Sequence, residues 1–181
     1  MVQSHVRGHF QKVTPSRVLP DEGCGIIPGM GQSQITGFLR VDERVSTGGQ
    51  PSESQLEELA ADGCEVVINL GLQDPRYCLK DEAASVARAG MLYLHIPVQF
   101  DGPTAHDYKR FCDAMAAHQD KRIFVHCAAN YRVSSFMALY GEAKLGWTRA
   151  AADAWAMKLW EPNETWRTFL VECRQELFPG E

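Results

Sequence analysis

The chain has 181 residues, ordinary apolar and charged fractions and a formal net charge of -5 at pH 7. That length suits one domain, and at this size folding buries roughly 70% of the unfolded surface. An acidic balance with no basic run argues against nucleic acid or an anionic membrane as partner, and no apolar run is long enough to span a bilayer.

Residues 1–34 contain Gly, Pro and Ser and are weakly patterned. After Met1-Val2, Val18-Leu19 and Ile26-Ile27 are their only apolar pairs, and Pro20 and Pro28 interrupt the stretch. It reads as a disordered or loosely packed extension, and one catalytic domain is expected over residues 35–178. Phe38-Leu39-Arg40-Val41 alternates like a strand, and Val45-Ser46-Thr47-Gly48-Gly49 reads as a second short one entering a turn. Ser52-Glu53-Ser54-Gln55 is a capping-box start, with Leu56 and Leu59 on the inner face and Gly63 as the stop. Residues 65–70 are a buried strand, residues 81–89 a helix closed by Gly90, and residues 91–98 the next strand.

Thr104 caps a helix in which Tyr108, Phe111, Cys112 and Met115 give the i, i+3, i+4, i+7 stripe of core packing. Arg122-Ile123-Phe124-Val125 is a further buried strand. Phe136, Met137, Leu139 and Tyr140 then recur at helical spacing, in a helix ending near Gly146. Another helix is expected from Thr148 to about Trp160, and a last one after Pro162, with Asn163 as N-cap. Strands alternating with helices predict an α/β fold: a mostly parallel central sheet of four to five strands, flanked by helices on both faces.

Between the strand at 122–125 and the helix after it lies His126-Cys127-Ala128-Ala129-Asn130-Tyr131-Arg132-Val133-Ser134-Ser135. The cysteine therefore opens a tight loop at the carboxyl end of a strand, where sheets of this kind place their sites. Backbone N–H groups there converge with the positive end of a helix dipole on one anion-sized volume. A free thiol, with a pKa of about 8.5, is only a few per cent thiolate at neutral pH, and such a loop favours the thiolate. Arg132 adds a fixed charge whose planar fork suits phosphate oxygens. A nucleophilic thiolate beside an oxyanion cradle is what a phosphocysteine mechanism requires.

This stretch resembles the signature loop of the cysteine-dependent protein tyrosine and dual-specificity phosphatases: His-Cys, five residues, Arg, then Ser or Thr, with Gly three residues after the Cys. Asn130 holds the Gly position, and Asn tolerates positive φ better than most residues. Ser134 holds the Ser position. Arg132 lies five rather than six positions after Cys127, and Val133 stands where the family has its Arg. That shift rotates the side chain by roughly 100° at a helix start, so the loop must be reshaped if Arg132 is to reach phosphate.

The order of Gly48-Gly49-Gln50-Pro51-Ser52, Val67-Ile68-Asn69-Leu70, Ile96-Pro97-Val98 and His126-Cys127 also resembles small dual-specificity phosphatases. It is closer to bacterial phosphatase-like proteins of the beta-lactamase hydrolase-like family, over residues 36–175.

The resemblance implies hydrolysis of a phosphate monoester through Cys127 without metal or other cofactor, the loop residues Ala128, Ala129, Asn130, Tyr131 and Val133 surrounding the phosphate. The substrate would be a phosphorylated protein or a small phosphate ester. It implies a general acid on a loop some thirty residues before the nucleophile. Asp101, in Gln99-Phe100-Asp101-Gly102-Pro103, precedes Cys127 by 26 residues; Asp74 and Asp81 are weaker candidates, and Asp107 pairs with the Thr104 cap. His126 is expected to hydrogen-bond loop backbone and position the thiolate, and Ser134 to donate to the sulfur or cap the helix. Two readings compete. Cys-x-x-Asn-x-Arg is also similar to the persulfide loop of single-domain rhodaneses, and a displaced Arg suits an inactive phosphate-binding module. The six cysteines are scattered without metal-ligand spacing, and with no secretory leader they point to free thiols in a reducing cytoplasm.

Overall fold

A computed structural model describes residues 34–179. The expectation for residues 1–34 lies, Gln34 apart, outside the described residues. Eleven elements follow in order: β1 (Leu39–Arg40), β2 (Val45–Gly48), α1 (Glu53–Ala61), β3 (Val66–Asn69), α2 (Glu82–Arg88), β4 (Leu92–His95), α3 (Ala105–Ala117), β5 (Ile123–His126), α4 (Tyr131–Lys144), α5 (Arg149–Ala156) and α6 (Glu164–Leu177).

The helix starts are set locally. Ser52 and Gln55 form the reciprocal capping box of α1, as do Thr104 and Asp107 for α3. Asp81 caps α2, Thr148 caps α5 and Asn163 caps α6, each accepting from an amide of the first turn. Two boundaries differ from the sequence reading. Helix α5 stops at Ala156 rather than near Trp160, because a turn over 157–160 brings Trp160 back against α4. Strand β4 ends at His95, since Pro97 has no N–H to extend the ladder, although Ile96 and Val98 still donate to Asn69 and Leu70 carbonyls.

The five strands form one sheet in the order β1-β2-β5-β3-β4. Only β1 runs antiparallel, paired to β2; β2, β5, β3 and β4 are parallel. Alternation along the strands sorts two cores. Val66, Ile68, Ile123 and Val125 join one with Phe111, Phe136, Met137, Trp166 and Phe169 from α3, α4 and α6. Val67 and Phe124 join the other with Leu56, Leu59 and Val86 from α1 and α2. Helices thus cover both faces. The last strand in sequence, β5, is central, so its carboxyl end emerges between β2 and β3. Among the described residues no helix is long and apolar enough to cross a membrane.

Candidate active site

Strand register builds the site. His126, at the end of β5, is level with Gly48 of β2 and Asn69 of β3. The loop after it is walled on one side by the chain leaving β2. Cys127 N–H donates to the Gly48 carbonyl at 3.4 Å, and Gln50 N–H donates to the Ala128 carbonyl at 3.1 Å. A Cβ on Gly49 would stand 2.8 Å from that same Ala128 oxygen, so only glycine allows this approach. On the other side, a Cβ on Gly71 would lie 2.9 Å from Asn69 Oδ1 and 3.5 Å from Cys127 Cα. The Gly48-Gly49 pair and Gly71 are loop walls.

Asn130 has φ 65°, the one positive φ among the described non-glycine residues. It takes a backbone conformation that usually favours glycine, and its side chain adds two anchors: Nδ2 donates to the Gly37 carbonyl at 2.7 Å and to Thr47 Oγ1 at 2.9 Å. The left-handed residue ends the loop and α4 starts at once. Among the described residues the amides of Ala128, Ala129, Tyr131, Arg132 and Val133 find no backbone acceptor, which leaves an anion-binding concavity at a helix N-terminus.

The shifted arginine is resolved by helix rotation. Val133 is fully buried in the core, so its position faces away from the loop, whereas Arg132 turns toward the segment after β4. Its Nε donates to the Val98 carbonyl at 2.9 Å and its guanidinium carbon sits 5.2 Å from the Phe100 ring centroid. Arg132 is only 6% exposed, yet none of the ion pairs among the described residues includes it. A buried guanidinium without a counter-ion is costly, and both terminal nitrogens remain available to an anion.

Phe100 belongs to an aromatic group with Trp160 and Trp166, and the Trp166 indole N–H donates to the Phe100 carbonyl at 2.8 Å. Trp160 also stacks nearly parallel on Tyr131, with ring centroids 4.9 Å apart. Asp101, next in the chain to Phe100, is exposed and, among the described residues, makes no hydrogen bond or ion pair. The other carboxylates considered are engaged: Asp81 and Asp107 cap helices, and Arg76 beside Asp74 holds its carboxyl down at about 2.

Two expectations are corrected. Ser134 does not face the sulfur, because its hydroxyl donates to the Tyr131 carbonyl at 2.9 Å and accepts from Trp160 Nε1 at 3.1 Å. His126 does not bond loop backbone; it is fully buried, Nδ1 has no partner among the described residues, and Nε2 lies 3.1 Å from Glu82 Oε1. That approach is oblique, an electrostatic contact rather than a straight hydrogen bond.

Glu82 is the residue the sequence reading missed. At 5% exposure its Oε1 also accepts from Gln50 Nε2 at 2.7 Å, while Oε2 accepts from Asn69 Nδ2 at 2.7 Å and Tyr93 Oη at 2.9 Å. Burial pushes this carboxyl up, but His126, Gln50 and Tyr93 outweigh it and hold it below the ordinary range. An acid in a first helical turn looks like an ordinary complement to the dipole. The better signal was Asn69, a lone amide at the end of an apolar strand.

Burial pushes the Cys64 thiol up to about 11 and Cys173 to about 12, and raises Cys112 also. None of these three is poised as a nucleophile. No group of three or more His, Cys, Asp or Glu side chains among the described residues is arranged to hold a metal ion.

Comparison with known proteins agrees with this geometry. The family described as DSP-PTPase phosphatase fused to NAD+ kinase matches residues 32–159. A beta-lactamase hydrolase-like protein of Agrobacterium fabrum is 31% identical over 108 residues, covering 58% of this chain; the match spans a quarter (25%) of that protein's length. A DUF442 protein of Shewanella putrefaciens CN-32, crystallised as a phosphatase candidate, superposes with a TM-score of 0.73 at 32% identity, covering 80% of this chain and 95% of its own. TpbA of P. aeruginosa, solved with phosphotyrosine, shares the fold with a TM-score of 0.63 at 16% identity, covering 83% and 94% of the two chains.

Proposed function

This chain belongs to the DSP-PTPase family described as fused to NAD+ kinase, and from that premise we propose that it hydrolyses a phosphate monoester through a phosphocysteine intermediate on Cys127. The observation that carries the reading is the buried guanidinium of Arg132, without a carboxylate among the described residues, beside loop amides with no backbone acceptor. Uncompensated positive charge next to a thiol at a helix start is built for a bound anion.

In the proposed reaction the phosphoryl oxygens take the amides between Ala128 and Val133 and the two terminal nitrogens of Arg132. Cys127 is 1% exposed, so a substrate reaches it by seating its phosphate in the loop. The Cys127 thiolate attacks phosphorus as the P–O bond breaks, and Asp101 gives its proton to the departing oxygen. Asp101 then takes a proton from the water that attacks the S–P bond, releasing phosphate and restoring the thiolate. Arg132 and the amides stabilise the charge on the equatorial oxygens, so no step calls for a metal. His126, behind the cysteine, and Ser134, bonded between Tyr131 and Trp160, hold the loop. The phosphatase unit is residues 35–178. Its substrate class is the phosphate ester, on a protein or a small molecule.

One paired assay tests this against sulfur transfer: hydrolysis of an aryl phosphate and transfer of sulfur from thiosulfate to cyanide, each with Cys127→Ser as control. Hydrolysis that vanishes in the variant, with no sulfur transfer, is expected. Sulfur transfer alone, or neither activity with intact phosphate binding, would overturn it.

A further inference from the structure

We infer that Glu82 is the positioning residue of the signature loop, one buried carboxylate that locks three separate chain segments against it and dictates which nitrogen of His126 carries hydrogen. Each segment reaches the loop by its own contact. Gln50 gives its side chain to Glu82 and its backbone N–H to the Ala128 carbonyl. Asn69 gives its amide hydrogens to Glu82 and Tyr93, and its Oδ1 accepts from Gly71 N–H at 2.6 Å, setting Gly71 against Cys127. His126 directly precedes Cys127 and turns Nε2 toward Glu82.

Side-chain chemistry explains why a carboxylate is required. Gln50 Nε2, Asn69 Nδ2, Tyr93 Oη and His126 Nε2 all converge on it, and the first three donate to it. An ionised carboxylate is a pure acceptor with about four lone-pair sites, and no other kind of side chain can accept from these three donors while leaving a negative oxygen facing His126 Nε2. Glutamine has the same shape but one acceptor oxygen. With that oxygen kept by Asn69 and Tyr93, its amide hydrogens would confront Gln50 and His126. His126 would then face it best with a bare Nε2 and hydrogen on Nδ1, whereas a carboxylate oxygen 3.1 Å away favours hydrogen on Nε2, since a lone pair there would face negative charge.

The titratable and charged groups facing Glu82 are His126 from β5 and Tyr93 from β4, with Cys78 beyond Tyr93. On the other side of α2, Glu53 is taken by Ser85 and Arg88. The Glu82 arrangement therefore supports the loop from beneath, while Arg132 stands on its substrate side.

The test is Glu82→Gln in the full-length protein, read by two independent measurements. Long-range 1H–15N spectra of the histidine rings should show His126 with hydrogen on Nε2 in the parent and a bare Nε2 in the variant. The kinetic arm rests on the phosphatase reading: aryl phosphate hydrolysis should fall on the order of ten- to a hundredfold in kcat, with KM changed less than about threefold. Glu82→Asp, which keeps the charge, should restore part of that loss. The inference is overturned if His126 in the parent already carries a bare Nε2, a result that needs no variant to fold. It also falls if Glu82→Gln leaves tautomer and kcat unchanged, or lowers activity only in proportion to folded protein. A parent without phosphatase activity would sink the catalytic reading and leave the spectral arm to decide on Glu82.

Discussion

Arg132 Nε donates to the carbonyl of Val98 at 2.9 Å, which roots the one arginine of the signature loop in the segment that leads to Asp101. That bond fixes the head of a side chain whose sequence position is one residue short of the phosphatase pattern. It uses one of five donors and leaves the charge uncompensated.

Because Arg132 is buried without a counter-ion among the described residues, phosphate or tungstate should stabilise the protein. An anion at a hundredfold its Kd should add about 2.7 kcal/mol. Arg132→Met should lose that shift and, without anion, melt no lower than the parent, since an apolar group of similar size removes the buried charge. Calorimetry with and without tungstate checks this. Equal stabilisation of both proteins would mean the anion binds elsewhere.

The fork, and not just the charge, should matter. In Arg132→Lys a point charge replaces two terminal donors held in a plane. Inhibition by tungstate should weaken by at least about tenfold, equivalent to about 1.4 kcal/mol. Competitive inhibition that is unchanged in this variant would place the guanidinium outside the phosphate site.

Cys127→Ser should abolish aryl phosphate hydrolysis, by at least about a thousandfold, since a hydroxyl at its ordinary pKa is a weak nucleophile. Isothermal titration should still show phosphate binding, because the loop amides and Arg132 remain. Residual hydrolysis above a tenth of the parent's rate would assign the nucleophile to another group.

Asp101→Asn should slow phenyl phosphate far more than a nitrophenyl ester, because a poor leaving group depends most on protonation. The basic limb of the pH–rate profile should flatten with it. If both substrates slow alike, Asp101 is a turn residue.

Glu82 should make stability depend on acid. Its carboxyl titrates below the ordinary value of 4.5 in the folded protein. Its contribution is therefore fully present above that value and is lost as pH falls through the lowered folded one. Glu82→Gln should cost roughly 3 kcal/mol at neutral pH. Denaturant melts should show the gap between parent and variant closing on acidification below 4.5. A gap that stays constant into acid would mean the carboxylate adds nothing in its charged form.

Most of the architecture was legible in local chemistry. Capping boxes at Ser52 and Thr104, helix-closing Gly63 and Gly90, and the apolar runs around Val67 and Phe124 act over a few residues, so they can be read in order along the chain. The signature loop was legible for the same reason: strand, cysteine, left-handed Asn130 and helix are contiguous. Of the two boundary errors, the end of β4 was set locally by Pro97, whereas the end of α5 was set by a distant partner. Trp160 leaves α5 in order to stack on Tyr131, a contact across 29 positions that no local propensity encodes.

What the sequence by itself determined is a parallel α/β sheet with a cysteine loop at a strand end, because periodicity and turn chemistry are properties of neighbouring residues. Only the tertiary structure decided the roles around that loop. Burial of Val133 turned Arg132 toward Val98, the Trp160 indole N–H fastened the Ser134 oxygen while its hydrogen went to the Tyr131 carbonyl, and sheet packing gathered Gln50, Asn69, Tyr93 and His126 onto Glu82. A side chain's hydrogen-bond partners are set by what lies across the sheet. Such neighbours meet in space and share no pattern in the chain.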